Sequence, residues 1–223
     1  MSFKIALIHP SRGRALQASA TISSWLSRAS GDPTITIAHY LSVDADDPDL
    51  VNYKLIFTDF LINPSGGSVV YATNSAAKKA YQDGFDILVY LSDDFECPNR
   101  WDVALVARTY LHVSCVIKVN DGLQPSHVRV LTIPIMNSKA YHQLGYFFHP
   151  DYLSMFCDQH LYEVCALRGW IRDFPDLLFK HNHHSLGLSP NDETYRASER
   201  NWKQGEDLYN LHKSHNFTPP LGA

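Results

Sequence analysis

The chain has 223 residues with a net charge of -4, of which 45% are hydrophobic and 19% charged. That composition excludes a disordered tail and can bury the core of one domain with a small appendage. Its acidic balance argues against a protein that coats nucleic-acid phosphates, so no nucleic-acid partner is expected.

No apolar stretch reaches the roughly 18–20 residues needed to cross a bilayer, and the start, residues 1–10, is too short an apolar run for a signal peptide. Cys97, Cys115, Cys157 and Cys165 show no CxxC spacing and sit inside apolar runs. They read as buried thiols in a reducing compartment, and a cytoplasmic location is the expectation.

In chain order, residues 4–9 read as a strand buried on both faces. Ala15, Ala18, Ile22, Trp25, Leu26 and Ala29 then recur at helical spacing until Gly31-Asp32-Pro33 stops the helix. Residues 34–42 are rich in β-branched side chains and predict a second strand. Residues 43–73 read as irregular, with one strand at 54–58, and 74–82 as a helix. Residues 86–91 read as a buried strand and 99–112 as a helix apolar nearly all round. Further strands are expected at 115–119 and 128–135, helices at 138–144 and 157–168, and an apolar segment at 174–183. Residues 192–212 predict a helical tail whose Tyr195, Trp202 and Tyr209, seven apart, pack one aromatic stripe on the domain. Alternation of strands and helices over the first 120 residues predicts an α/β sheet with helices on both faces, continued by antiparallel strands. The expected division is a domain over 1–190, with halves 1–120 and 121–190, and a tail over 191–223.

In open α/β sheets ligands bind beyond the carboxyl ends of the strands. Three polar clusters fall there: Pro10-Ser11-Arg12-Gly13-Arg14, Asp44-Ala45-Asp46-Asp47 and Asp93-Asp94-Phe95-Glu96. Carboxylates this crowded repel unless a cation or protons neutralise them, and a divalent ion on oxygen ligands could also bridge to a diphosphate. A solvated turn capping the next helix is the simpler alternative. His181-Asn182-His183-His184 follows an extended segment, so His181 and His183 would share one side. Imidazole beside carboxylate suits manganese better than bare magnesium, and an idle surface loop is the alternative. Arg12 and Arg14 could face a phosphate or a base plane. Asp44, Asp46 or Asp47 could accept from a nucleobase N–H or ribose hydroxyls. Asn74 and Lys78, one turn apart, could reach a phosphate or ribose, although surface exposure explains them equally. Asp158, among Met155, Phe156, Cys157 and Leu161, has the setting of a carboxylate with a raised pKa.

Over residues 3–184 this order of motifs resembles the GT-A glycosyltransferases, in particular the short family-2-like transferases of bacteria and phages. The resemblance rests on the three clusters, on Pro98 and Trp101-Asp102 behind the third, on Asn74 leading its helix, on Asp158, and on Phe179-Lys180-His181-Asn182-His183. It implies a GT-A fold with a mixed, mostly parallel sheet flanked by helices. It also implies a nucleotide-sugar donor, UDP-linked before GDP-linked, and an acceptor hydroxyl on a carbohydrate or other molecule. Pro10, Ser11, Arg12, Arg14, Asp44, Asp46, Asn74, Lys78 and Asp93 would then form the donor site. Asp94, Glu96 and His181 or His183 would hold Mn2+ (or Mg2+), and Asp158 would be the base of an inverting displacement. A nucleotidyltransferase would need a Gly-rich loop and downstream Lys after the first strand, which Ser11-Arg12-Gly13-Arg14 matches poorly. A non-catalytic nucleotide- or glycan-binding module is the third reading.

Overall fold

The computed structural model describes residues 2–125 and 127–217. The first half runs β1 (Phe3–Pro10), α1 (Ala15–Ser27), β2 (Ile35–Asp44), α2 (Leu50–Ile56), β3 (Leu61–Asn63), α3 (Val69–Gln82), β4 (Ile87–Tyr90), β5 (Phe95–Glu96) and α4 (Trp101–Arg108). It continues through β6 (Val116–Asn120), β7 (Ile135–Asn137), α5 (Ser138–Leu144), α6 (Cys157–Leu167), β8 (Ile171–Leu178), β9 (Lys180–His181), a 3-10 turn at His184–Leu186, α7 (Glu193–Arg200) and α8 (Trp202–Ser214).

Seven strands form one sheet in the order β3-β2-β1-β4-β7-β6-β8. All neighbours are parallel except around β7, which runs antiparallel to both β4 and β6. The alternation within β1 explains why its run lacks a polar face. Ile5 and Leu7 join Ile87, Val89, Trp25 and Trp101 on one side of the sheet, while Ala6 and Ile8 join Leu88, Ala76, Ala77 and Phe147 on the other. Both faces are covered, and both sets of side chains are removed from water.

Two features position the ends of these strands. First, β1 has β2 on one side and β4 on the other, so the chain switches direction across the sheet there and leaves a crevice beyond the carboxyl ends. Second, Trp25 and Trp101 pack edge to face with centroids 5.2 Å apart. Trp25 Nε1 donates to the Phe95 carbonyl (3.0 Å) and Trp101 Nε1 to the Trp25 carbonyl (2.9 Å). The acid-bearing turn after β4 is thereby fastened to α1 and α4.

Several expected elements differ from the observed ones. Residues 50–56 form helix α2, where a strand at 54–58 was expected. The run Leu55-Ile56-Phe57 carries no period of its own, and the buried Tyr53 with the stacked Phe57 one turn on selects the helix. Helix α3 starts at Val69, five residues before Asn74, because Ser68 caps it by accepting from the Tyr71 N–H (3.1 Å). Helix α4 covers only residues 101–108, with Thr109 already extended. Of the strand expected at 128–135 only Ile135 is paired; Pro134 has no N–H for a ladder, and Val130, Leu131 and Ile133 are buried in an irregular segment. Strand β8 begins at Ile171, three residues before the expected segment. The tail is two helices meeting at Asn201. Trp202 and Tyr209 both pack on Phe156, but Tyr195 turns away from that stripe.

All four cysteines are buried and unpaired. Among the described residues no helix is long and apolar enough to cross a membrane.

A candidate active site at the carboxyl ends of β1, β2 and β4

A cleft of about 490 Å³ opens beyond these strand ends, within the range of small-molecule sites. Pro10, Ser11, Arg12, Arg14, Asp44, Asp93, Asp94, Asp158, His181 and His183 all line it. Asp46, Asn74, Lys78 and Glu96 do not.

Asp93 is held from several directions. Ser11 Oγ lies 2.9 Å from each of its carboxylate oxygens, and His9 Nε2 lies 2.9 Å from Oδ1. A carboxylate can only accept, so His9 Nε2 carries the hydrogen, and its Nδ1 is hydrogen-bonded to His39 Nε2 (2.9 Å). Burial and the adjacent His9 push His39 down to a pKa of about 3, which keeps it neutral. The Asp93 carbonyl also accepts from Thr21 Oγ1 (2.7 Å). The acid is a fixed rim, joined through Ser11 to Tyr53 on α2.

Asp94 is different. His181 Nε2 donates to its Oδ2 (3.1 Å), and the Tyr195 hydroxyl donates to the same oxygen. Burial would raise its pKa, yet these bonds from His181 and Tyr195 hold it down at about 2. Its other oxygen, Oδ1, is buried with no hydrogen-bond partner among the described residues, and so is His181 Nδ1. Two buried polar atoms left unsatisfied are costly unless something occupies them. Carboxylate oxygen and imidazole nitrogen are the donor types that a divalent cation such as Mn2+ takes.

The pairing of β5 with β9 accounts for this meeting of distant residues. Phe95 lies opposite His181 and Glu96 opposite Lys180, and the Asn182 N–H donates to the Asp94 carbonyl (2.9 Å). The same pairing removes Glu96 from the expected metal set. Side chains alternate along a strand, so Glu96 faces outward, accepting from Asn182 Nδ2 (2.7 Å) beside Arg28. It also separates the two histidines: His181 touches Asp94, while His183 caps the following turn by accepting from the Ser185 N–H (3.2 Å). Their rings remain 4.9 Å apart.

On the β2 side, Arg12 Nη1 donates to Asp44 Oδ2 (3.0 Å) and to the exposed Asp46 (3.1 Å). Asp44 Oδ1 is a further buried oxygen without a partner among the described residues. Asp47 is unavailable to a ligand, since it accepts from the Gly13 and Asp49 N–H groups. Arg14 lines the cleft and is already paired there: its Nε and Nη2 donate to Asp192 (2.7 Å each), and its guanidinium lies 4.6 Å from the Tyr195 ring. The start of α7 is therefore a strap across the cleft, further tied by Thr194 Oγ1 donating to the Arg12 carbonyl (2.9 Å). Sequence reasoning missed Asp192, Thr194 and Tyr195 because it treated the tail as packing only. The local signal was Asp192 as an N-cap, which accepts from the Tyr195 N–H (3.2 Å).

Asn74 and Lys78 do not reach the cleft. Asn74 Oδ1 accepts from the Phe147 and Phe148 N–H groups (2.9 Å each), and its Nδ2 donates to the Phe148 carbonyl (2.7 Å). It pins the segment after α5 to α3, and Lys78 is exposed on the same helix. Asn74→Ala should therefore cost about 1–2 kcal/mol of stability, measured by urea unfolding; an unchanged midpoint would contradict the pinning role.

Asp158 sits in the first turn of α6. Burial raises its pKa to about 6, opposed by the Gln159 N–H that donates to Oδ1 (2.8 Å). A carboxylate near 6 is ionised at neutral pH yet basic enough to take a proton.

No protein-family model matches the chain, and no curated protein sequence matches it. Solved structures do. The chain has the GT-A fold of nucleotide-sugar glycosyltransferases. TarS residues 1–349 from S. aureus, solved with UDP-GlcNAc, superposes with a TM-score of 0.61 at 13% identity over 81% of this chain and 58% of TarS 1–349. A mannosyltransferase from Pyrobaculum calidifontis with GDP-Man and Mn2+ gives 0.58 at 13% over 88% and 60%. A Drosophila β-1,4-galactosyltransferase 7 mutant with manganese, UDP-Gal and xylobiose gives 0.56 at 10% over 86% and 75%. The chain thus spans about three fifths of the first two neighbours' length.

Proposed function

We propose that this chain is a metal-dependent glycosyltransferase that moves a sugar from a nucleotide-sugar donor, UDP-linked for preference, to an acceptor hydroxyl on a carbohydrate or other molecule, with inversion. The observation that carries this reading is the juxtaposition in one cleft of Asp94, His181 and Asp158, with Asp94 Oδ1 and His181 Nδ1 buried and unsatisfied. The fold shared with structures holding UDP-GlcNAc, GDP-Man and UDP-Gal supports it.

In this account the 1–120 half holds the nucleotide and the 121–190 half the acceptor. Asp44 Oδ1 accepts a hydrogen bond from the base, the Ser11-anchored Asp93 borders the ribose, and Arg12 orients the Asp44 and Asp46 carboxylates. Asp94 and His181 hold the divalent cation, Mn2+ or Mg2+, with His183 beside them. When bound, that cation supplies positive charge where charge develops on the departing diphosphate. Asp158 removes the proton from the acceptor hydroxyl as its oxygen bonds to the anomeric carbon. The carbon–oxygen bond to the diphosphate breaks, and the proton stays on Asp158.

A panel of nucleotide sugars, each with and without Mn2+, tests the reading by released nucleotide and by the anomer formed in proton NMR. Metal-stimulated turnover of one donor with inversion is expected. Binding of UDP with no turnover of any UDP-sugar would instead favour the binding module. Gly67 supplies a second test. A Cβ there would lie 2.5 Å from Asp44 Oδ1, so Gly67→Ala must push the loop or the carboxylate aside. UDP affinity by calorimetry should fall about tenfold, roughly 1.4 kcal/mol; unchanged affinity would exclude Asp44 from the nucleotide site.

A further inference from the structure

Outside the cleft three imidazoles converge from separate elements: His149 after α5, His160 on α6 and His212 on α8. Their ring centroids are 4.6–4.8 Å apart pairwise. Asp151 brings a carboxylate oxygen to 3.8 Å from His149 Nδ1. One ligand atom from each of His149, Asp151 and His212 lies within 4.8 Å of the others. His160 stands behind them, buried, with Nδ1 3.1 Å from the Tyr152 hydroxyl. His212 Nε2 is buried with no hydrogen-bond partner among the described residues. Packing alone does not explain this group, because it leaves a buried ring nitrogen unsatisfied among rings that would repel one another if protonated. His149 Nδ1 accepts from the Asp151 N–H at 3.4 Å, a long bond that a metal ion could replace.

We propose that His149, Asp151 and His212 bind a borderline transition-metal dication, Zn2+ foremost, which fastens α8 to the segment following α5. Two imidazoles and one carboxylate are a donor set for such ions, and the fourth position is left to solvent. Bonds of about 2.0–2.1 Å require donor atoms about 3.3 Å apart, so the side chains must draw together by roughly 1.5 Å. Asp151 is exposed and free to rotate inward. The consequence reaches the cleft, because α8 continues directly from α7, whose first turn brings Asp192 and Tyr195 to Arg14 and Asp94. Joining residues this far apart in sequence constrains the unfolded chain and stabilises the strap.

The test must silence the Asp94–His181 site first. The metal-stripped full chain carrying Asp94→Ala and His181→Ala is titrated with Co2+, followed by visible absorption, and then challenged with Zn2+. One saturable equivalent displaced by Zn2+ is expected, together with a rise in melting temperature on adding Zn2+. Adding Asp151→Asn or His212→Gln should weaken the affinity at least about tenfold, a difference of about 1.4 kcal/mol. No saturable Co2+ signal up to about 1 mM (a millimolar dissociation constant), or a signal untouched by both further substitutions, overturns the proposal. Should the background protein fail to fold, Asp151→Asn alone is compared with the unsubstituted chain. Loss of one bound equivalent supports the site, and retention of every equivalent overturns it. Failure here leaves the glycosyltransferase reading intact, since the two sites share no residue.

Discussion

Asp158→Asn should abolish sugar transfer while making the protein more stable. Loss of a general base costs about 10²–10⁴-fold in rate, and Asn has the shape of the carboxylate without its basicity. Donor binding, which does not use Asp158, should be retained. The stability effect follows from linkage. Asp158 has a folded pKa of about 6, above an unfolded value near 3.9, so the folded chain holds its proton more tightly. Its carboxyl therefore stabilises the fold below about pH 4, and that contribution disappears as pH rises to about 6. Two pKa units correspond to about 3 kcal/mol; discounted for residual solvent access, about 1–2 kcal/mol should return at pH 7 in the Asn variant. A melting temperature higher by about 2–8 °C is expected. The unsubstituted chain should lose kcat/KM below about pH 6, in proportion to protonation of this group. Near-normal turnover in Asp158→Asn, or a pH profile flat down to 5, would remove Asp158 from the mechanism.

Asp94→Ala should cost about 10³-fold or more in kcat/KM, at the upper end of what removing one electrostatic stabiliser costs. The variant deletes the buried Oδ1 and frees His181 and Tyr195 from their shared acceptor. Mn2+ should then no longer strengthen UDP binding in calorimetry, while affinity measured without metal stays close to that of the unsubstituted chain. Metal-stimulated UDP binding that survives in Asp94→Ala would place the cation elsewhere. Glu96→Gln is the contrasting control: its side chain faces Arg28 and Asn182, so it should leave the metal response intact.

The parts of this architecture legible from sequence are those governed by neighbouring residues. The uninterrupted apolar run at residues 4–9 reads as a strand covered on both faces because Ile5 and Leu7 oppose Ala6 and Ile8, and the structure places each pair on its own side. The polar clusters after β1, β2 and β4 follow from the rule that open sheets bind ligands at carboxyl ends, and ten of the singled-out side chains do face one cleft. What stayed hidden depends on partners far away in the chain. Nothing near His181 or His183 says which one faces Asp94; the pairing of Phe95 with His181 decides it. Nothing near Arg14 announces Asp192, and the aromatic spacing of the tail concealed Tyr195, whose hydroxyl goes to Asp94. The His39–His9–Asp93 chain is equally invisible, because His9 sits inside an apolar strand and gains meaning only when β1, β2 and the turn after β4 are assembled. Asn74 shows the converse error: a polar residue on a helix suggested a ligand contact, and its amide is consumed by the backbone of Phe147 and Phe148.

The most direct measurement is a crystal soaked with Mn2+ and UDP, with the metal located by its anomalous signal. A peak is expected at bonding distance, about 2.0–2.2 Å, from Asp94 Oδ1 and in contact with the His181 ring and the diphosphate oxygens. A peak that bypasses Asp94, or a diphosphate bound in the cleft with no metal beside it, would contradict the account.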